Sequence, residues 1–585
     1  MLKGGEDVVQ GTHVRELTPE WVARAVGGRL HPGGGPVRDL VWHSGAATPG
    51  SLFAALPGRT THGRHFIPEA LARGASLVLA DQAGPATLEV EDPWQALLRL
   101  GEALRRLFPG PVLAVGGSSG KTTTKEALAQ GLGLPAPPGN LNTAPPLVRF
   151  FWHLDPQSPG AVVELGVDRQ GEMAELFALA KPHLAVLTAL GEEHLEAFGT
   201  LEKAVQEEAH LLRAPTALVG EQAAPLVLGL REDLLVYGFA EGTFRGRDLE
   251  LGLRESRFRY GGLHVRVPYP GLGPAYGALA ALAAAEVLGL SLEEVAERLS
   301  RLTLPPGRME TREVGGVVFV NDAYNANPLS VKAGLRWLAA QPGRKWAVLG
   351  EMRELGRESL RLHLEVAEEA ARLGLSPLYL GPHARHQAAF SGEAVESLEE
   401  ALAWLKARVA PGDLVYLKAS RAVGLEGGVL TPRGLLPYPA QAPLATPEIG
   451  SGSWSYGTRP SPPSPPRGLR PPARGARPAL PRRVRPGKRG GGPLPGHPPR
   501  GAPPRGRGRR GPLRRLPLPA PRGAGGEGPK PAPPRGAPVP QGPARPRRGP
   551  RGRRPHPEGP PPLPRPRRPG DPRGPLLGGR GGAPP

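Results

Sequence analysis

The sequence predicts an α/β protein with parallel sheets, followed by a long low-complexity tail. Short apolar runs alternate with helical patterns in two blocks of the chain, and strands that alternate with helices favour a parallel sheet. A turn-rich stretch at about residues 303–308 separates the two blocks. After about Leu430 the periodicity ends in a region rich in Pro, Gly, Arg and Ala.

The first block divides into two parts. Residues 1–108 contain helical patterns at 21–26 and 70–72 and an apolar strand at 77–80. Residues 109–303 begin with a buried strand at 111–115, which leads through a Gly/Ser turn into a helix. The other elements expected in that part are strands at 161–165 and 184–188 and helices at 122–130, 174–180 and 201–212.

The second block, residues 304–435, has the same alternation. We expect strands at 317–321, 346–349, 378–380 and 414–417, with helices at 329–340 and 361–373. The sequence therefore predicts three domains, at 1–108, 109–303 and 304–435, before the tail.

The tail, residues 436–585, differs from the body in composition and charge. Residues 451–585 hold 31 Lys and Arg but three acids, a net charge of +28, whereas residues 1–450 carry −7. Since the tail has few β-branched or aromatic residues, we predict that it is disordered. Three interpretations stay open: an arginine-rich nucleic-acid arm, a proline-rich ligand, and a GC-rich region translated in the wrong frame. We favour the last, without specific nucleic-acid binding, because no spaced aromatic residues interleave the arginines.

Composition also excludes several classes of protein. The chain has no cysteine, so it can form neither disulfides nor thiolate metal sites. It has no N-terminal signal pattern and no apolar run of 18 residues, since Glu286 interrupts the Ala/Leu-rich stretch at 275–290. We therefore expect a cytoplasmic protein that does not insert into membranes.

The strongest functional motif is a Gly/Ser-rich loop between a predicted strand and a predicted helix. Its residues are Gly117, Ser118, Ser119, Gly120, Lys121, Thr122 and Thr123. Backbone amides of such a loop surround phosphate oxygens, the lysine neutralises the outer phosphates, and the threonine hydroxyl can bind Mg²⁺. A Gly/Ser turn that merely caps a helix is the alternative, because the usual first glycine of a P-loop is Val115 here.

Other polar residues follow predicted strands. Glu164 ends a strand, where a doubly wound sheet positions ligand-binding groups. Asp322 also follows a strand and suits the ribose of ATP, and Arg308 suits its phosphates. Asn325 and Asn327 are candidates for the site, although asparagine is equally common in turns.

The loop sequence GGSSGKTTTKE (residues 116–126) resembles the nucleotide loop of the Mur ligase family. Seven further segments resemble the family in the same order along residues 12–430: GNLNT (139–143), VVELGVDRQGEM (162–173), HLEAFGT (194–200), PPGRME (305–310), NDAYNANP (321–328), GEMRELG (350–356) and KASR (418–421). The pair NDAYNANP and GEMRELG is similar to the branch of the family that adds D-alanyl-D-alanine.

The resemblance implies a UDP-sugar domain, a central P-loop ATPase domain and a Rossmann-like C-terminal domain. It implies an ATP- and Mg²⁺-dependent amide ligase that joins D-Ala-D-Ala to UDP-MurNAc-tripeptide through an acyl phosphate. A monomer is expected, with closure of the C-terminal domain as a step. By this resemblance the metal ligands are Thr122, Glu164, His194 and Glu208, the catalytic residues Lys121, His194 and Glu208, and the substrate contacts Ser44, Asn140, Asn142, Tyr324 and Asn327.

The chain also departs from the family pattern. Glu208 occupies the position of a carbamylated lysine, and we hypothesise that its carboxylate replaces that group; an exposed helix carboxylate is the alternative. The family's His-Asn-x-x-Asn segment is Gly273 to Gly277 here, which leaves stacking on Tyr276 as one way to bind adenine. The Asp-Ser-Arg uridine motif retains only Ser44.

Three alternative functions follow from these observations. A related Mur-type ligase with another amino-acid acceptor would share the loop and the metal residues. A homologue that lost activity through the departures, and a nucleic-acid-binding protein whose tail is the functional part, are the other two.

Overall fold

The structure is a computed structural model that describes residues 15–58 and 61–425. Within these residues it contains three α/β regions, which confirms the predicted fold class. The predicted disordered tail, residues 436–585, lies outside the described residues. No helix within the described ranges is long and apolar enough to cross a membrane.

The N-terminal region forms one sheet of five strands in the order β1-β5-β4-β3-β2, with only the β1–β5 pair antiparallel. The helix expected at 21–26 and the strand expected at 77–80 are both present. The elements are β1 (Arg29–Leu30), β2 (Asp39–Val41), β3 (Ser51–Ala54), β4 (Leu77–Ala80), β5 (Thr87–Glu89), α1 (Pro19–Val26), α2 (Ile67–Ala72) and α3 (Pro93–Arg106).

The central region has a six-stranded parallel sheet in the order β11-β10-β9-β8-β6-β7. Its strands are β6 (Val112–Gly116), β7 (Ala161–Glu164), β8 (Leu184–Leu187), β9 (Thr216–Gly220), β10 (Leu235–Gly238) and β11 (Phe244–Arg245). Its helices are α4 (Lys121–Leu132), α5 (Ala144–His153), α6 (Glu172–Ala180), α7 (Leu195–Phe198), α8 (Leu201–Glu208), α9 (Ala224–Val227), α10 (Leu272–Leu288) and α11 (Leu292–Leu299). Helices α4 and α10 pack against each other over a core that the sheet shares.

The central region differs from the prediction at one helix and in several elements that were not predicted, among them β9 to β11, α5 and α9 to α11. The helix expected at 201–212 ends at Glu208 and continues as a 3₁₀ helix, Ala209–Arg213, because Pro215 follows and the last turn tightens. An antiparallel sheet of β12 (Arg247–Leu251), β13 (Ser256–Tyr260) and β14 (Leu263–Val267) was not expected.

The C-terminal region forms a six-stranded sheet in the order β15-β16-β20-β17-β18-β19, antiparallel only at β15–β16. All four predicted strands and both predicted helices of this region are confirmed. The elements are β15 (Glu310–Val314), β16 (Val317–Asn321), β17 (Lys345–Leu349), β18 (Leu378–Leu380), β19 (Glu393–Val395), β20 (Leu414–Lys418), α12 (Pro328–Ala340), α13 (Ser359–Arg372), α14 (Ala384–Ala388) and α15 (Leu398–Arg408).

Candidate functional site

A cavity of about 610 Å³, the main cavity, lies at the carboxyl ends of the central parallel strands and is bounded on its other side by loops and helix α12 of the C-terminal region. Parallel sheets bind ligands at this edge. The structure brings most of the predicted site residues into its wall: Ser118, Ser119, Gly120, Lys121, Thr122, Thr123, Asn140, Asn142, Glu164, His194, Arg308, Asp322, Tyr324, Asn325 and Asn327.

The phosphate-loop backbone is fixed by its glycines and by the neighbouring strand. At Gly117, φ is 118° and a β-carbon would lie 2.4 Å from the Thr188 hydroxyl, so only glycine fits. The amide of Ser118 donates to the carbonyl of Ala189 at 2.7 Å. Gly120, with φ of 86°, is the N-cap of α4, so the positive end of the helix dipole faces the cavity.

Lys121 is surrounded by carboxylates. Its ammonium donates to the Gly117 carbonyl at 2.7 Å and to Glu193 Oε2 at 3.2 Å. Burial alone would lower the pKa of Lys121, but the negative charges of Glu193, Glu208 and Glu164 raise it above its ordinary value. The lysine is therefore charged throughout the physiological pH range and can bind an anion.

Glu208 lies behind the phosphate loop and not on the cavity wall. It is 4% exposed, and its Oε2 accepts a hydrogen bond from the Gly117 amide at 2.8 Å. Burial raises the pKa of Glu208 to about 7, although the charge of Lys121 opposes the shift. The alternative of an exposed helix carboxylate is therefore wrong.

Glu164 has one oxygen bonded and one without a partner. Asn142 Nδ2 donates to Oε1 at 2.9 Å, whereas the buried Oε2 accepts no hydrogen bond. Such an oxygen suits a bound cation, and Thr122 lines the same cavity. Among the described residues, however, no three carboxylate or histidine groups lie close enough together to form a complete metal site.

His194 belongs to the central region but contacts the C-terminal one. Its Nδ1 lies 2.6 Å from Glu354 Oε2, and its Nε2 lies 3.8 Å from Glu193 Oε1. Burial would lower the pKa of His194, but the hydrogen bond to Glu354 and the charge of Glu193 raise it.

Arg308 and Tyr324 form a stacked pair on the side of the main cavity that the C-terminal region contributes. The Arg308 guanidinium lies 3.9 Å from the centroid of the Tyr324 ring, and that of Arg421 lies 4.9 Å from the same ring. Burial lowers the pKa of Arg308, and its buried Nε has no hydrogen-bond acceptor. This unused donor suits an anionic ligand.

Asp322 is held by several donors at the end of β16. Lys418 Nζ donates to Oδ2 at 2.6 Å, the Tyr416 hydroxyl donates to the same oxygen at 3.0 Å, and the Met309 amide donates to Oδ1 at 3.2 Å. These contacts fix the carboxylate at the edge of the main cavity.

The asparagines of the C-terminal region differ in burial. Asn327 caps α12 through the Ser330 amide, and its Nδ2 donates to the Ser118 carbonyl at 3.3 Å, which ties the C-terminal region to the phosphate loop. Asn325 is exposed, and its side chain accepts from the Ala326 amide at 2.9 Å. Asn327 therefore has a structural role, although it also lines the cavity.

The loop that contains Asn140 and Asn142 is bound to α4 by hydrogen bonds. The fully buried ammonium of Lys125 donates to the carbonyls of Pro137 at 2.6 Å and Gly139 at 2.9 Å. Asn140 is exposed at the tip of this loop. The loop therefore keeps its position relative to the phosphate loop.

At the far end the main cavity is aromatic. The Tyr276 hydroxyl donates to Glu221, and the Tyr276 ring packs edge-on against Phe239, with centroids 5.1 Å apart. Burial raises the pKa of Tyr276, and the hydrogen bond to Glu221 raises it further. At Gly277 a β-carbon would lie 3.3 Å from the Thr123 carbonyl, so the close approach of α10 to α4 leaves little room for a side chain there.

Ser44 lies apart from this assembly. It belongs to the N-terminal region, does not line the main cavity, and donates to Glu69 Oε2 at 2.7 Å.

Sequence reasoning missed Glu193, Glu354 and Lys418 as site residues. Glu354 and Lys418 lie inside the segments 350–356 and 418–421, and Glu193 immediately precedes the segment 194–200. Their charge within these segments was the available signal, but only the fold brings them to Lys121, His194 and Asp322.

Three family models match the chain in order. The model described as "Mur ligase family, catalytic domain" matches residues 42–108, "Mur ligase middle domain" matches 115–285, and "Mur ligase, glutamate ligase domain" matches 307–421. Together these matches include the main cavity.

Curated relatives are similar over nearly their whole length. A UDP-N-acetylmuramoyl-tripeptide--D-alanyl-D-alanine ligase of Treponema pallidum is 32% identical over 422 residues, 66% of this chain and 91% of that protein. The Escherichia coli protein of the same name is 30% identical over 409 residues, 65% of this chain and 90% of its own.

Two solved structures are similar to this chain over nearly their whole length. MurF from Acinetobacter baumannii has a TM-score of 0.67 at 28% identity and covers 71% of this chain and 98% of its own. MurF ligase from Thermotoga maritima, solved in complex with ADP, has a TM-score of 0.61 at 29% identity and covers 67% of this chain and 96% of its own.

Proposed function

The chain belongs to the Mur ligase family, and from this premise we propose that it is an ATP-dependent amide ligase that adds D-Ala-D-Ala to UDP-MurNAc-tripeptide in the synthesis of peptidoglycan precursors. The observation that carries this proposal is the similarity to ligases of that name over about nine tenths of their length. The ADP complex of the Thermotoga maritima relative supports ATP as the nucleotide.

The chemistry joins two anions before it forms an amide. A carboxylate oxygen of the tripeptide bonds to the γ-phosphorus while the bond to ADP breaks. The amine of D-Ala-D-Ala then attacks the acyl carbon, and phosphate leaves with the former carboxylate oxygen while the amine loses a proton. Lys121 and the N-terminus of α4 stabilise the γ-phosphate charge, and Arg308 offers its unused Nε–H to another phosphate oxygen.

The oxygen donors that line the cavity are of the type that Mg²⁺ prefers. Glu164 has a buried oxygen without a partner, and Thr122 and His194 line the same cavity, so these three residues would hold the ion. Bound there, Mg²⁺ would neutralise phosphate charge and polarise the transferred group.

Glu208 remains our candidate for the role of the carbamylated lysine. Its carboxylate is buried within the charge field of Lys121 and binds the phosphate-loop amide of Gly117. If it supports the metal, Glu208→Ala requires more Mg²⁺ for half-maximal activity. An unchanged Mg²⁺ dependence would remove Glu208 from the metal site.

The remaining assignments complete the proposal. Asp322 and Asn325 would contact the nucleotide near its ribose. Asn140, Asn142, Tyr324 and Asn327 would contact the precursor, and Ser44 its uridine end. We further propose domains at 1–108, 109–303 and 304–435 and a monomeric, cytoplasmic enzyme.

Phosphate release tests the proposal. We expect release in the presence of ATP, UDP-MurNAc-tripeptide and D-Ala-D-Ala together, and little release when either precursor is omitted. Candidate acceptors, including diamino acids and glutamate, are compared at equal concentration. Faster release with one of these acceptors would assign the chain to another branch of the family, and no release with any of them would make it an inactive homologue.

A further inference from the structure

One contact between the central and C-terminal regions is made by two short segments, residues 194–196 and 352–356. Leu195, 6% exposed, packs into the core of the C-terminal region with Met352 and Leu355. Gly356, with φ of 55°, lies against the Glu196 backbone, where a β-carbon would come within 3.1 Å of Cα. The two segments therefore pack closely at this glycine.

Glu354 holds the other segment by both its backbone and its side chain. Its carbonyl accepts a hydrogen bond from the Glu196 amide at 3.0 Å. Its Oε2 lies 2.6 Å from His194 Nδ1. Glu354 and His194 have φ of 66° and 53°, a conformation that residues other than glycine rarely adopt. Two uncommon backbone geometries thus coincide at one contact.

The segment around Glu354 is anchored in its own region. The amide of Met352 donates to His363 Nε2 at 3.0 Å, and that of Arg353 donates to Ser420 Oγ at 2.9 Å. These two hydrogen bonds hold the backbone next to Glu354 in place, so the Glu354 carboxylate has a defined position beside His194.

This contact determines which ring nitrogen of His194 is available. When Nδ1–H donates to Glu354, the lone pair of the neutral ring is on Nε2. Nε2 lies 3.8 Å from Glu193 Oε1, and Glu193 in turn binds Lys121 at 3.2 Å. The available nitrogen therefore faces the end of the main cavity that contains the phosphate loop and Lys121, the phosphate end. A carboxylate behind a histidine is the usual way in which proteins orient a histidine that binds a metal.

We propose that Glu354 is a positioning residue supplied by the C-terminal region, which fixes His194 with its Nε2 lone pair directed at the phosphate end of the main cavity. Asp168 Oδ1 of the central region lies 3.7 Å from His194 Nδ1, beyond hydrogen-bond distance. The hydrogen bond that orients the ligating nitrogen therefore forms when the C-terminal region lies against the central one. This inference rests on the proposed ligase function, in which His194 serves the metal.

A role in stability alone does not explain the contact. The Glu354 side chain is 57% exposed, and exposed ion pairs stabilise proteins little. Leu195, Leu355 and the Glu196–Glu354 backbone bond would hold the two segments together without the carboxylate.

The test compares Glu354→Gln with Glu358→Gln, which removes a nearby charge that pairs with Arg361 of its own region. Mn²⁺ binding in the presence of ADP, followed by electron paramagnetic resonance, reports the metal site without turnover. We expect Glu354→Gln to weaken Mn²⁺ binding by about 10- to 100-fold, and Glu358→Gln to bind Mn²⁺ like the parent.

Steady-state kinetics provide the second readout. Glu354→Gln should lower kcat with little change in KM for UDP-MurNAc-tripeptide, because the carboxylate orients His194 and does not bind the precursor. In a His194→Gln background the same change should have no further effect. If Glu354→Gln has the Mn²⁺ affinity and the kcat of the parent, the proposal is overturned. It is also overturned if Glu354→Gln lowers kcat in the His194→Gln background by as much as it does in the parent.

The absence of native cysteines allows a control for domain opening. Spin labels on cysteines introduced at the exposed positions Glu232 and Ala403 report the distance between the two regions. We expect the same distance distribution in the parent and in Glu354→Gln. A shift to longer distances in Glu354→Gln would overturn the proposal, because the carboxylate would then hold the two regions together and not orient His194. If the parent itself does not ligate D-Ala-D-Ala, the proposed function fails, whereas an active parent with an unaffected Glu354→Gln variant overturns this inference alone.

Discussion

The two ends of the main cavity are built from different chemistry. The phosphate end gathers charged groups, among them Lys121, Glu164, Glu193 and Arg308. Two of their polar atoms, Glu164 Oε2 and Arg308 Nε, are buried without a partner. The other end is lined by the rings of Tyr237 and Tyr276, and we call it the base end because Tyr276 is our candidate for stacking on adenine. The Tyr276 hydroxyl is already bonded to Glu221.

The difference indicates how each end binds its ligand. At the phosphate end, unsatisfied groups gain hydrogen bonds or a cation when the ligand arrives, because a buried polar atom without a partner is costly. At the base end, Glu221 accepts from the amides of Phe239, Ala240 and Glu241, so the Tyr276 ring is held rigidly before binding. We therefore expect large losses from changes at the phosphate end and smaller ones at the base end.

The largest effect is expected for Lys121→Ala. Removing a buried positive charge that faces the γ-phosphate should lower kcat by about 100- to 1,000-fold. The matched control is Lys203→Ala, an exposed lysine of the same region, which should retain parental rates. ATP turnover by Lys121→Ala at the parental rate, with both precursors present, would contradict the account of the phosphate end.

Arg308→Lys should have the next largest effect. A lysine keeps the charge but cannot both stack on Tyr324 and direct an Nε–H into the cavity. We expect KM for ATP to rise by about 10-fold or more, the cost of one charge-assisted hydrogen bond. Arg357→Lys, at an exposed position of the C-terminal region, serves as the control. Equal KM values in both variants would remove Arg308 from nucleotide binding.

At the base end, Tyr276→Leu should raise KM for ATP by about 10-fold, because stacking of a base on an aromatic ring contributes about 1–3 kcal/mol. Tyr276→Phe keeps the ring and loses only the bond to Glu221, so its KM should change less. KM for D-Ala-D-Ala should be the same in both variants. If the leucine and phenylalanine variants have equal KM for ATP, the ring does not stack on adenine.

A pH-dependent effect on stability, not on activity, is expected at Glu208. Its pKa is raised from 4.5 to about 7, so its contribution to stability is fully present below pH 4.5 and is lost as pH rises through 7. The loss amounts to at most about 3 kcal/mol. Glu208→Gln can still accept the Gly117 hydrogen bond without ionising. As pH rises from about 5 to about 8, the melting temperature of Glu208→Gln should therefore increase relative to that of the parent. A difference that does not vary with pH would contradict the raised pKa.

The same contrast explains how much the sequence could predict. The strand, loop and helix around Lys121 were predicted nearly to the residue, because apolar periodicity and a Gly/Ser loop are local signals. Asp322 and Glu164 were proposed as site residues because Asp322 follows a predicted strand and Glu164 lies at the end of another. The aromatic end was predicted only through Tyr276, since Tyr237 and Phe239 belong to segments that are distant in sequence and carry no motif.

Contacts between elements distant in sequence were likewise beyond sequence reasoning. Glu354 meets His194 only because the C-terminal region packs against α7, and Glu193 meets Lys121 only because their two loops lie side by side. The position of Glu208 at the Gly117 amide, away from the cavity wall, also depends on where α8 ends. Such contacts depend on the packing of whole elements, which local sequence patterns do not encode.

Oxygen transfer tests the central claim most directly. UDP-MurNAc-tripeptide with ¹⁸O in its terminal carboxylate is incubated with ATP, D-Ala-D-Ala and the protein, and the released phosphate is analysed by mass spectrometry. An acyl-phosphate route predicts that each phosphate carries one oxygen from the carboxylate, in step with formation of the amide product. Phosphate without the label, or release without amide formation, would contradict the account.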